Sequence, residues 1–433
     1  MMSEKATPAP AAPTAPAAPD QGTRARPGIA RQVAESNGLM GLLAVVTAML
    51  VGSVLILIAD PHVRSTATYF LARPTDFLGA VGSSLTQAYT SLLRGGVFDW
   101  QASTSARMWR PITETFTVAT PLILAGLGMA VAFRGGLFNV GGQGQIVLGA
   151  MLGGYIGFTF HLPAGLGLLA AVLGTAVGGM LWGLIPGLLK ALTGASEVIT
   201  TIMLNSIATF LLAHALTTDA FIGEGNANPK SLPIMVGAQY PRLLGQSFRL
   251  HLGIVVALAA AVFVWWLLER SEIGFQLRAT GLNPDAARTA GISVPRVTVI
   301  VMLISGALCG LAASGPVLGT QHYLTTSIAG SVGFDAMTVA LLGRSKPLGT
   351  VLAGLLFGVL TAGGTTMQAA TGTPIDIVLV LQSTIVLFIA APPLVRAIYH
   401  LPAPGSWKRS RREAMGPATA GAGAASTTAT QEA

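Results

Sequence analysis

Residues Arg134 to Ala150 have the sequence RGGLFNVGGQGQIVLGA, which crowds glycine, asparagine and glutamine between two strongly apolar runs. Irregular backbone at membrane depth is tolerated only where it is buried in protein or lines a water-filled cavity. The glycines let the chain turn and let helices approach one another. Asn139, Gln143 and Gln145 are able either to satisfy the freed backbone groups or to face a solute. We therefore predict a broken helix, with both roles of its polar side chains left open.

The composition indicates an all-α, polytopic membrane protein. The chain has 433 residues, of which 52% are hydrophobic and only 10% charged, and its mean hydropathy is +0.65. Soluble domains contain about 25% charged residues, and the apolar runs are too long for barrel strands. The net charge of +8 arises from basic residues at segment ends and in the tails, which favours topology marking over nucleic-acid binding. We expect membrane lipid around the chain and no nucleic-acid partner. The single cysteine, Cys309, excludes an intramolecular disulfide.

The apolar runs predict about 9 to 10 membrane segments between two low-complexity tails. They occupy residues 39–59, 114–133, 138–160, 164–189, 196–216, 251–268, 297–319, 347–366 and 375–395, with a half-length run at 332–343. We expect a transmembrane domain over 37–400. Residues 1–36 and the basic tail 401–433 are predicted to be disordered and cytoplasmic.

Basic residues set the predicted orientation. They cluster within 269–296, at Arg344 and Lys346, and at Lys408, Arg409, Arg411 and Arg412. Placing these clusters in the cytoplasm puts both termini inside and makes the connections 60–113 and 217–250 extracytoplasmic. The connection 60–113 contains five arginines, which conflicts with this orientation but is tolerable in a long loop. An amphipathic stretch within it, 77–96, is predicted to lie on the membrane surface.

A faint internal similarity links residues 137–157 with residues 333–358. Both stretches begin near a phenylalanine and a small polar residue, contain polar or glycine-rich interruptions and end in small-residue helices. Interrupted segments at matching places in two halves point to the central pathway of a transporter. We therefore predict two interrupted helices in pseudo-repeated halves; independent use of glycine in helix packing is the alternative.

Several enzyme motifs are absent from the sequence. No lysine follows a glycine, so there is no phosphate-binding G-x-x-x-x-G-K-[ST] loop, and neither H-E-x-x-H nor G-x-S-x-G occurs. We expect no enzymatic activity, no cofactor and no metal site. The few ionisable residues within the spans lie near predicted ends, so no carboxylate relay for ion coupling is evident. The energy source is then expected to be a partner.

A short helix is predicted at 284–290, in the basic segment between two spans. Asn283 suits the cap position, Pro284 the first helical position, Asp285 the positive end of the helix dipole, and Gly291 the C-terminal stop. A short helix with mostly alanine side chains suits docking into a groove on another protein. An ordinary loop helix is the alternative.

The segment GFQLRATGLNPDAARTAGISVPR, Gly274 to Arg296, resembles the cytoplasmic coupling segment of permease subunits from bacterial ABC importers for branched-chain amino acids, simple sugars and nucleosides. The nucleoside or simple-sugar branch is the most similar, through TPLILAGLGMAVAFRGGLFNVGGQGQIVLGA, SEVITTIMLNSIA (Ser196 to Ala208) and FDAMTVALLGRSKPLG (Phe334 to Gly349). The likeness covers about residues 110–395. Gln143 stands where such permeases often have an acidic residue, which puts in doubt any role that needs a charge there.

The resemblance implies a multi-pass permease of the bacterial plasma membrane that works with three partners. These are a cytoplasmic ABC ATPase, an extracytoplasmic solute-binding lipoprotein and a second permease subunit, identical or not. An ion- or proton-coupled secondary transporter is the alternative function, and a channel-forming subunit without its own solute is a third.

Two sets of residues are the candidate sites. The solute pathway for a nucleoside or simple sugar is assigned to neutral polar groups and one aromatic wall, because such groups avoid the cost of buried charge: Phe138, Asn139, Gln143, Gln145 and Asn205. For these, interhelical hydrogen bonding without solute contact is the alternative. The resemblance assigns ATPase coupling to Asn283, Pro284, Asp285, Ala287, Arg288 and Gly291.

Overall fold

The computed structural model describes residues 37–399 with the exception of 164, 226–227, 375, 392–393 and 395–396. The two predicted tails, 1–36 and 401–433, lie outside the described residues.

Helices make up most of the described chain. They are α1 (Asn37–Ala59), α2 (Pro61–Ala67), α3 (Pro74–Gly96), α4 (Ser105–Arg134), α5 (Gly142–Thr159), α6 (Leu166–Thr193), α7 (Glu197–Ala215), α8 (Gly253–Arg270), α9 (Glu272–Leu282), α10 (Pro284–Thr289), α11 (Val294–Ala312), α12 (Val332–Leu342), α13 (Pro347–Thr371) and α14 (Asp376–Ala390). Single turns at Asp219–Ile222 and Val236–Ala238 lie in the connection between α7 and α8. Within the described residues there is no strand beyond one isolated bridge, between Arg242 and His251. The all-α prediction is confirmed.

The number of full-length spans is smaller than the number of apolar runs. Six helical segments of the described chain are long and apolar enough to cross a membrane: α4, α6, α7, α8, α11 with its continuation to Gln321, and α13. The pair α1–α2, bent by 75°, would add a seventh. The other predicted segments correspond to shorter or less apolar helices, α5, α12 and α14. The protein is thus polytopic, as predicted, but several segments need neighbours to complete a crossing.

Glycine faces hold the centre of the bundle together. Gly179 of α6 lies against Gly306 and Gly310 of α11, so closely that a Cβ at 179 would meet backbone atoms of both. Gly149 of α5 approaches Gly310 as well. In lipid there is no hydrophobic force between helices, so association depends on close backbone approach of this kind. The α5–α6–α11 group is therefore the rigid core against which the other helices pack.

The stretch 60–113 is mostly helical, which differs from its prediction as a polar connection. The amphipathic stretch 77–96 lies within α3, which packs along α13, with Gly95 against Thr366 and Gly363 against Leu92. Its small buried side chains, including Ala88 and Ser91, form the face that contacts the bundle. The amphipathic pattern of 77–96 fits a helix on the membrane surface and a helix that packs on protein equally well. The sequence alone therefore does not distinguish these two positions. Its extracytoplasmic placement stays a prediction.

The two predicted interruptions are present. After α4 ends at Arg134, residues 135–141 run without helix and α5 starts only at Gly142, so the predicted helical run 138–160 begins four residues late. After α12, Arg344 and Ser345 adopt left-handed φ values of 53° and 50°, strained for residues with a side chain, before α13 starts at Pro347.

A third irregularity was not predicted. The chain continues from α11 into a wide helical turn over Gly315–Gln321, with one extra residue per hydrogen-bonded ring, and ends at His322 with φ 61°. Such turns are rare and concentrate at functional sites. The connection 217–250 lies over this end of the bundle: Tyr240 N–H donates to Leu318 O at 2.8 Å and Ile234 N–H to His322 O at 2.8 Å.

The glycine contact between α6 and α11 gives a stability prediction. Gly179→Ala places a methyl group against the α11 backbone, so we expect it to lower the free energy of unfolding by about 1–3 kcal/mol. Gly82 of α3 is exposed, and a Cβ added there would meet no other atom within 4 Å, which makes this position the matched control. Gly82→Ala should leave stability unchanged or slightly raise it. Thermal unfolding of the purified protein in detergent measures both; equal effects of the two substitutions would contradict the packing argument.

Candidate functional site

Two helix N-termini meet inside the bundle, those of α5 and α12. Gly142 of α5 lies at the level of Met129 in α4, and Gly333 of α12 lies directly against the Gln143 backbone. The Gln143 side chain joins the two helices: its Nε2 donates to Gly330 O at 2.7 Å, and its Oε1 accepts from Gly333 N–H at 2.9 Å. The first N–H groups of a helix have no partner within it. Gln143 therefore caps α12 from another helix.

Asn205 caps α5 in the same manner. Its Oδ1 accepts from Gly144 N–H at 2.8 Å, and its Nδ2 donates to Val140 O at 2.9 Å. One side chain in the middle of α7 thus satisfies a donor at the start of α5 and an acceptor in the irregular segment before it. Asn205 is only 8% exposed, so both bonds form away from water.

Asn139 and Gln145 form a closed polar cluster with Ser305 of α11. Asn139 Nδ2 donates to Gln145 Oε1 at 3.0 Å and to Ser305 Oγ at 2.9 Å. Asn139 Oδ1 accepts from Gly141 N–H at 2.9 Å. Both Asn139 and Gln145 are at most 1% exposed. Their polar atoms are engaged within the protein, and neither side chain reaches a cavity surface.

Phe138 is the most accessible of the five candidate pathway residues, with 45% of its surface exposed. Its ring lies 5.1 Å from that of Phe133, and its N–H points at Glu197 Oε1 at 3.5 Å. Glu197 also pairs with Lys190 at 2.6 Å, joining the end of α6 to the start of α7. All five candidates thus lie in or beside the irregular segment 135–141. Only Phe138 and Gln143 retain accessible surface, and the assignment of all five to a solute pathway stays a prediction.

A polar cavity of about 280 Å³ is lined in part by Gly330 and Ser331, next to the bond between Gln143 and Gly330. It is bounded by the first half of α4, the wide turn after α11, the connector 327–332 and the start of α12. Its polar lining comes from Glu114, Thr117, Arg249, Thr320, Gln321, Ser327, Ser331, Asp335 and Thr361. At its edge Arg249 Nη1 pairs with Glu114 Oε1 at 2.7 Å. The volume is close to the lower limit of about 300 Å³ for small-molecule pockets.

Sequence reasoning did not identify this cavity. Its residues come from four separate segments, and Glu114 and Arg249 are 135 positions apart, so no local motif announces them. The one local signal is Asp335, an ionisable residue in the apolar run 332–343. Within the described ranges, no group of three or more histidine, cysteine or acidic residues is placed to hold a metal ion.

The C-terminal end of α9 contacts the point where α4 ends and the first break begins. Gly281, near the end of α9, lies on the backbone of Arg134, Gly135 and Gly136, where α4 ends. Arg134 Nε donates to Ser345 O at 3.1 Å, in the turn between α12 and α13. We call this region the Arg134 end of the bundle. It joins α9 directly to the segment 135–141 and, through Arg134, to the turn between α12 and α13.

The helix predicted at 284–290 is confirmed as α10, Pro284–Thr289. Asn283 Oδ1 accepts from Asp285 N–H at 3.0 Å and from Ala286 N–H at 3.1 Å, and Gly291 adopts φ 84°. Asn283, Pro284, Asp285, Arg288 and Gly291 are exposed, whereas Ala287 is 3% exposed and packs inside the protein. Ala287 is therefore not accessible for a partner. The coupling role of the other five residues stays a prediction.

Comparison with known proteins places most of the described chain in one family. Residues 112–390 match the family described as the permease component of branched-chain amino acid transport systems. The matched range contains both helix breaks, the polar cavity and α10, and starts after α1–α3. No solved structure matches the chain.

Several curated relatives are similar over most of their length. The guanosine ABC transporter permease protein NupP of Bacillus subtilis (strain 168) is 39% identical over 288 residues, covering 66% of this chain and 83% of the relative. The nucleoside ABC transporter permease protein NupB of Lactococcus lactis subsp. cremoris is 36% identical over 300 residues, 67% and 81% of the two chains. The glucose ABC transporter permease protein TsgB13 of Haloferax volcanii is 35% identical over 287 residues, 64% and 75%.

The cap that Asn205 supplies to α5 is testable. Asn205→Leu keeps a similar volume but leaves Gly144 N–H and Val140 O without partners, so we expect the free energy of unfolding to fall by about 1–3 kcal/mol. Ser206→Ala, at the exposed neighbouring position, is the control and should have little effect. The measurement is the thermal unfolding midpoint in detergent, and an unchanged midpoint for Asn205→Leu would show that these two bonds do not stabilise the break.

Proposed function

Because the chain belongs to the family of permease components of branched-chain amino acid transport systems, we propose that it forms the translocation pathway of an ABC importer for a nucleoside or a simple sugar. The family match across residues 112–390 carries this proposal. Three relatives at 35–39% identity are named for guanosine, nucleosides and glucose, which favours these solutes over amino acids. The hydroxyl and amide groups of Thr117, Thr320 and Gln321 in the cavity lining suit a hydroxyl-rich molecule.

A separate ATPase is the proposed energy source, docked at the Arg134 end of the bundle. The chain has no phosphate-binding loop of its own. α9 presents exposed apolar side chains outside the predicted spans: Leu282 is 89% exposed and Phe275 60% exposed. Apolar groups in such a polar, basic segment suit a protein partner. Asn283, Pro284, Asp285, Arg288 and Gly291 would shape the docking helix, whereas Ala287 would anchor it to the permease.

Gly281 is the proposed link between this docking surface and the pathway. Movement of α9 would push directly on Gly135 and Gly136, because no side chain lies between the two backbones. The bond between Arg134 and Ser345 would carry the same movement to the α12–α13 turn. Both broken helices would then shift together, and this shift would exchange inward- and outward-facing states.

The remaining partners are a second permease subunit and an extracytoplasmic solute-binding protein. Docking of the binding protein at the end covered by residues 217–250 agrees with the predicted orientation, in which the Arg134 end faces the cytoplasm. The basic segment 269–296 and the turn that contains Arg344 and Lys346 both contact residues 134–136 at that end, which supports this orientation by the positive-inside rule. The bacterial plasma membrane and cytoplasmic termini belong to the same proposal.

Within the pathway we assign two different roles to the five candidate residues. Asn139, Gln145 and Asn205 would hold the irregular segment 135–141 in shape, since their polar atoms are already bonded within the protein. Gln143 would form the barrier below the cavity, and Phe138 would line the exit on the other side of that barrier.

Uptake measurements separate the ABC importer from the ion-coupled alternative. Proteoliposomes containing the complete transporter should take up guanosine or glucose only when ATP reaches the ATPase, and a protonophore should not reduce the rate while ATP is maintained. Uptake driven by an ion gradient without ATP would overturn the proposed function.

The docking surface gives a second test. Leu282→Asp places a charge in the proposed apolar interface, so the ATPase should no longer co-purify and uptake should fall at least about tenfold. Leu244→Asp changes an exposed leucine of the connection 217–250 and is the matched control. It should leave ATPase binding intact. Loss of the ATPase in both variants, or in neither, would contradict the assignment of this surface.

Gly281 gives a third test, of transmission rather than docking. Gly281→Ala adds a methyl group where the backbones of α9 and α4 touch, so we expect uptake to fall at least about tenfold while the ATPase still co-purifies. ATP hydrolysis should continue without transport. The control Gly82→Ala should transport normally. Normal uptake by Gly281→Ala would show that the contact is not part of the coupling route.

A further inference from the structure

We propose that Asp335, together with Ser331, binds the vicinal hydroxyls of the ribose of a nucleoside in transit through the polar cavity. This site rests on the proposed function and narrows its solute class to ribonucleosides. It uses a residue outside the five candidate pathway positions. The cavity, its lining and the position of Asp335 carry the proposal.

Asp335 lies in the first turn of α12 and faces the cavity. Its Oδ2 accepts from Ser331 Oγ at 2.7 Å, and no other described side chain donates to the carboxylate. Among the described residues it has no ion-pair partner: the cation that lines the same cavity, Arg249, is paired with Glu114. An ionisable residue inside a helix bundle of a membrane protein is costly unless it has a functional partner. The missing partner is a donor from the solute.

A ribose diol fits these groups. A carboxylate accepts hydrogen bonds from ribose hydroxyls in other nucleotide-binding folds, and such charge-assisted bonds are stronger than neutral ones. The free lone pairs of Asp335 would accept from one hydroxyl or both, and Ser331 would lie beside the pair. The Glu114 and Asp335 carboxylates disfavour a phosphorylated solute, so the cavity selects a nucleoside over a nucleotide.

The remaining lining suits the rest of a nucleoside. Thr320 and Gln321, in the wide turn after α11, face the same space and offer hydroxyl and amide groups to a base edge. Val118, Pro121, Leu122 and Ile328 supply apolar surface for the base plane. A volume of about 280 Å³ restricts the site to one such molecule.

The site includes part of the connector to which Gln143 is bonded. Ser331 is in the connector between Gly330 and Gly333, which Gln143 holds through one bond to each. A ribose bound to Ser331 and Asp335 therefore contacts the same short segment that Gln143 clamps. Binding of the solute and movement of Gln143 would both act on this connector. A weakly bound solute would therefore influence its own passage.

The test compares two solutes and two aspartates. The complete transporter, purified with its ATPase and binding protein and reconstituted in proteoliposomes, is assayed with guanosine and with 2′,3′-dideoxyguanosine, each at a concentration that saturates the binding protein. Asp335→Asn removes the charge at constant size. Asp376→Asn is the matched control, since Asp376 also lies in the first turn of a helix, is exposed and does not line the cavity. Ser331→Ala removes the neighbouring hydroxyl.

The wild-type transporter should take up guanosine at least about tenfold faster than the dideoxy analogue. Asp335→Asn should lower guanosine uptake to the rate of the analogue and change uptake of the analogue less than about twofold. Ser331→Ala should reduce the same preference in part, and Asp376→Asn should match wild type. Co-purification of the ATPase confirms that each variant is assembled. If Asp335→Asn fails to assemble, the ratio of guanosine uptake to uptake of the analogue in Ser331→Ala tests the proposal instead.

Four results would overturn the inference, and they differ in what they say of the function. Equal uptake by Asp335→Asn and Asp376→Asn, or an equal loss of both solutes in Asp335→Asn, would exclude diol recognition and leave the importer intact. ATP-dependent uptake of glucose but not of guanosine by wild type would exclude this site and keep the proposed function. Uptake of neither solute would overturn both.

Discussion

The structure depends on satisfying the N-termini of two helices that start inside the bundle. The early N–H groups of α5 and α12 have no partner within their own helices, and lipid offers none. Each helix receives its cap from a different element: Asn205 of α7 bonds to Gly144, and Gln143 of α5 bonds to Gly333. A break in the helix is therefore possible only where three elements meet. This requirement fixes the positions of α5, α7 and α12 relative to one another.

The same requirement separates the polar residues by role. Asn139, Gln145 and Asn205 have their polar atoms bonded within the protein and little exposed surface, so they form the frame of the irregular segment. Polar atoms that must engage a passing molecule cannot also be committed to the fold. Such atoms occur in the cavity, where Asp335 has accepting capacity left over. Neutral amides thus stabilise the break, whereas the Asp335 carboxylate is the group that we propose to bind the solute.

Local patterns predicted part of this structure. The cap at Asn283, the proline at 284 and the left-handed Gly291 are neighbours in sequence, and α10 formed as expected. The glycine-rich breaks after Arg134 and Leu342 were also foreseen, because glycine and polar residues within an apolar run are a local signal. The side on which α3 packs was not, since small residues on one helix face suit a protein neighbour and a membrane surface equally well. The caps that Asn205 and Gln143 supply to other helices, and the cavity, depend on residue pairs separated by 61 to 190 positions. A single sequence contains no local pattern that reveals such pairs. The wide turn at Gly315–Gln321 has no distinctive composition at all.

In the proposed coupling, the contacts form a continuous route from the Arg134 end of the bundle to the cavity. Gly281 touches the end of α4, and residues 135–141 lead from there to Gln143 without a flexible linker, since their backbone is bonded at Gly136, Leu137, Val140 and Gly141. Gln143 in turn holds the connector that carries Ser331. The Arg134 bond to Ser345 ties the far end of α12 to the same starting point. Both ends of α12 are therefore attached to the α4–α5 break, so α12 cannot stay in place when the break moves. The connector also lines the cavity through Gly330 and Ser331, so a movement of α12 would move part of the cavity wall.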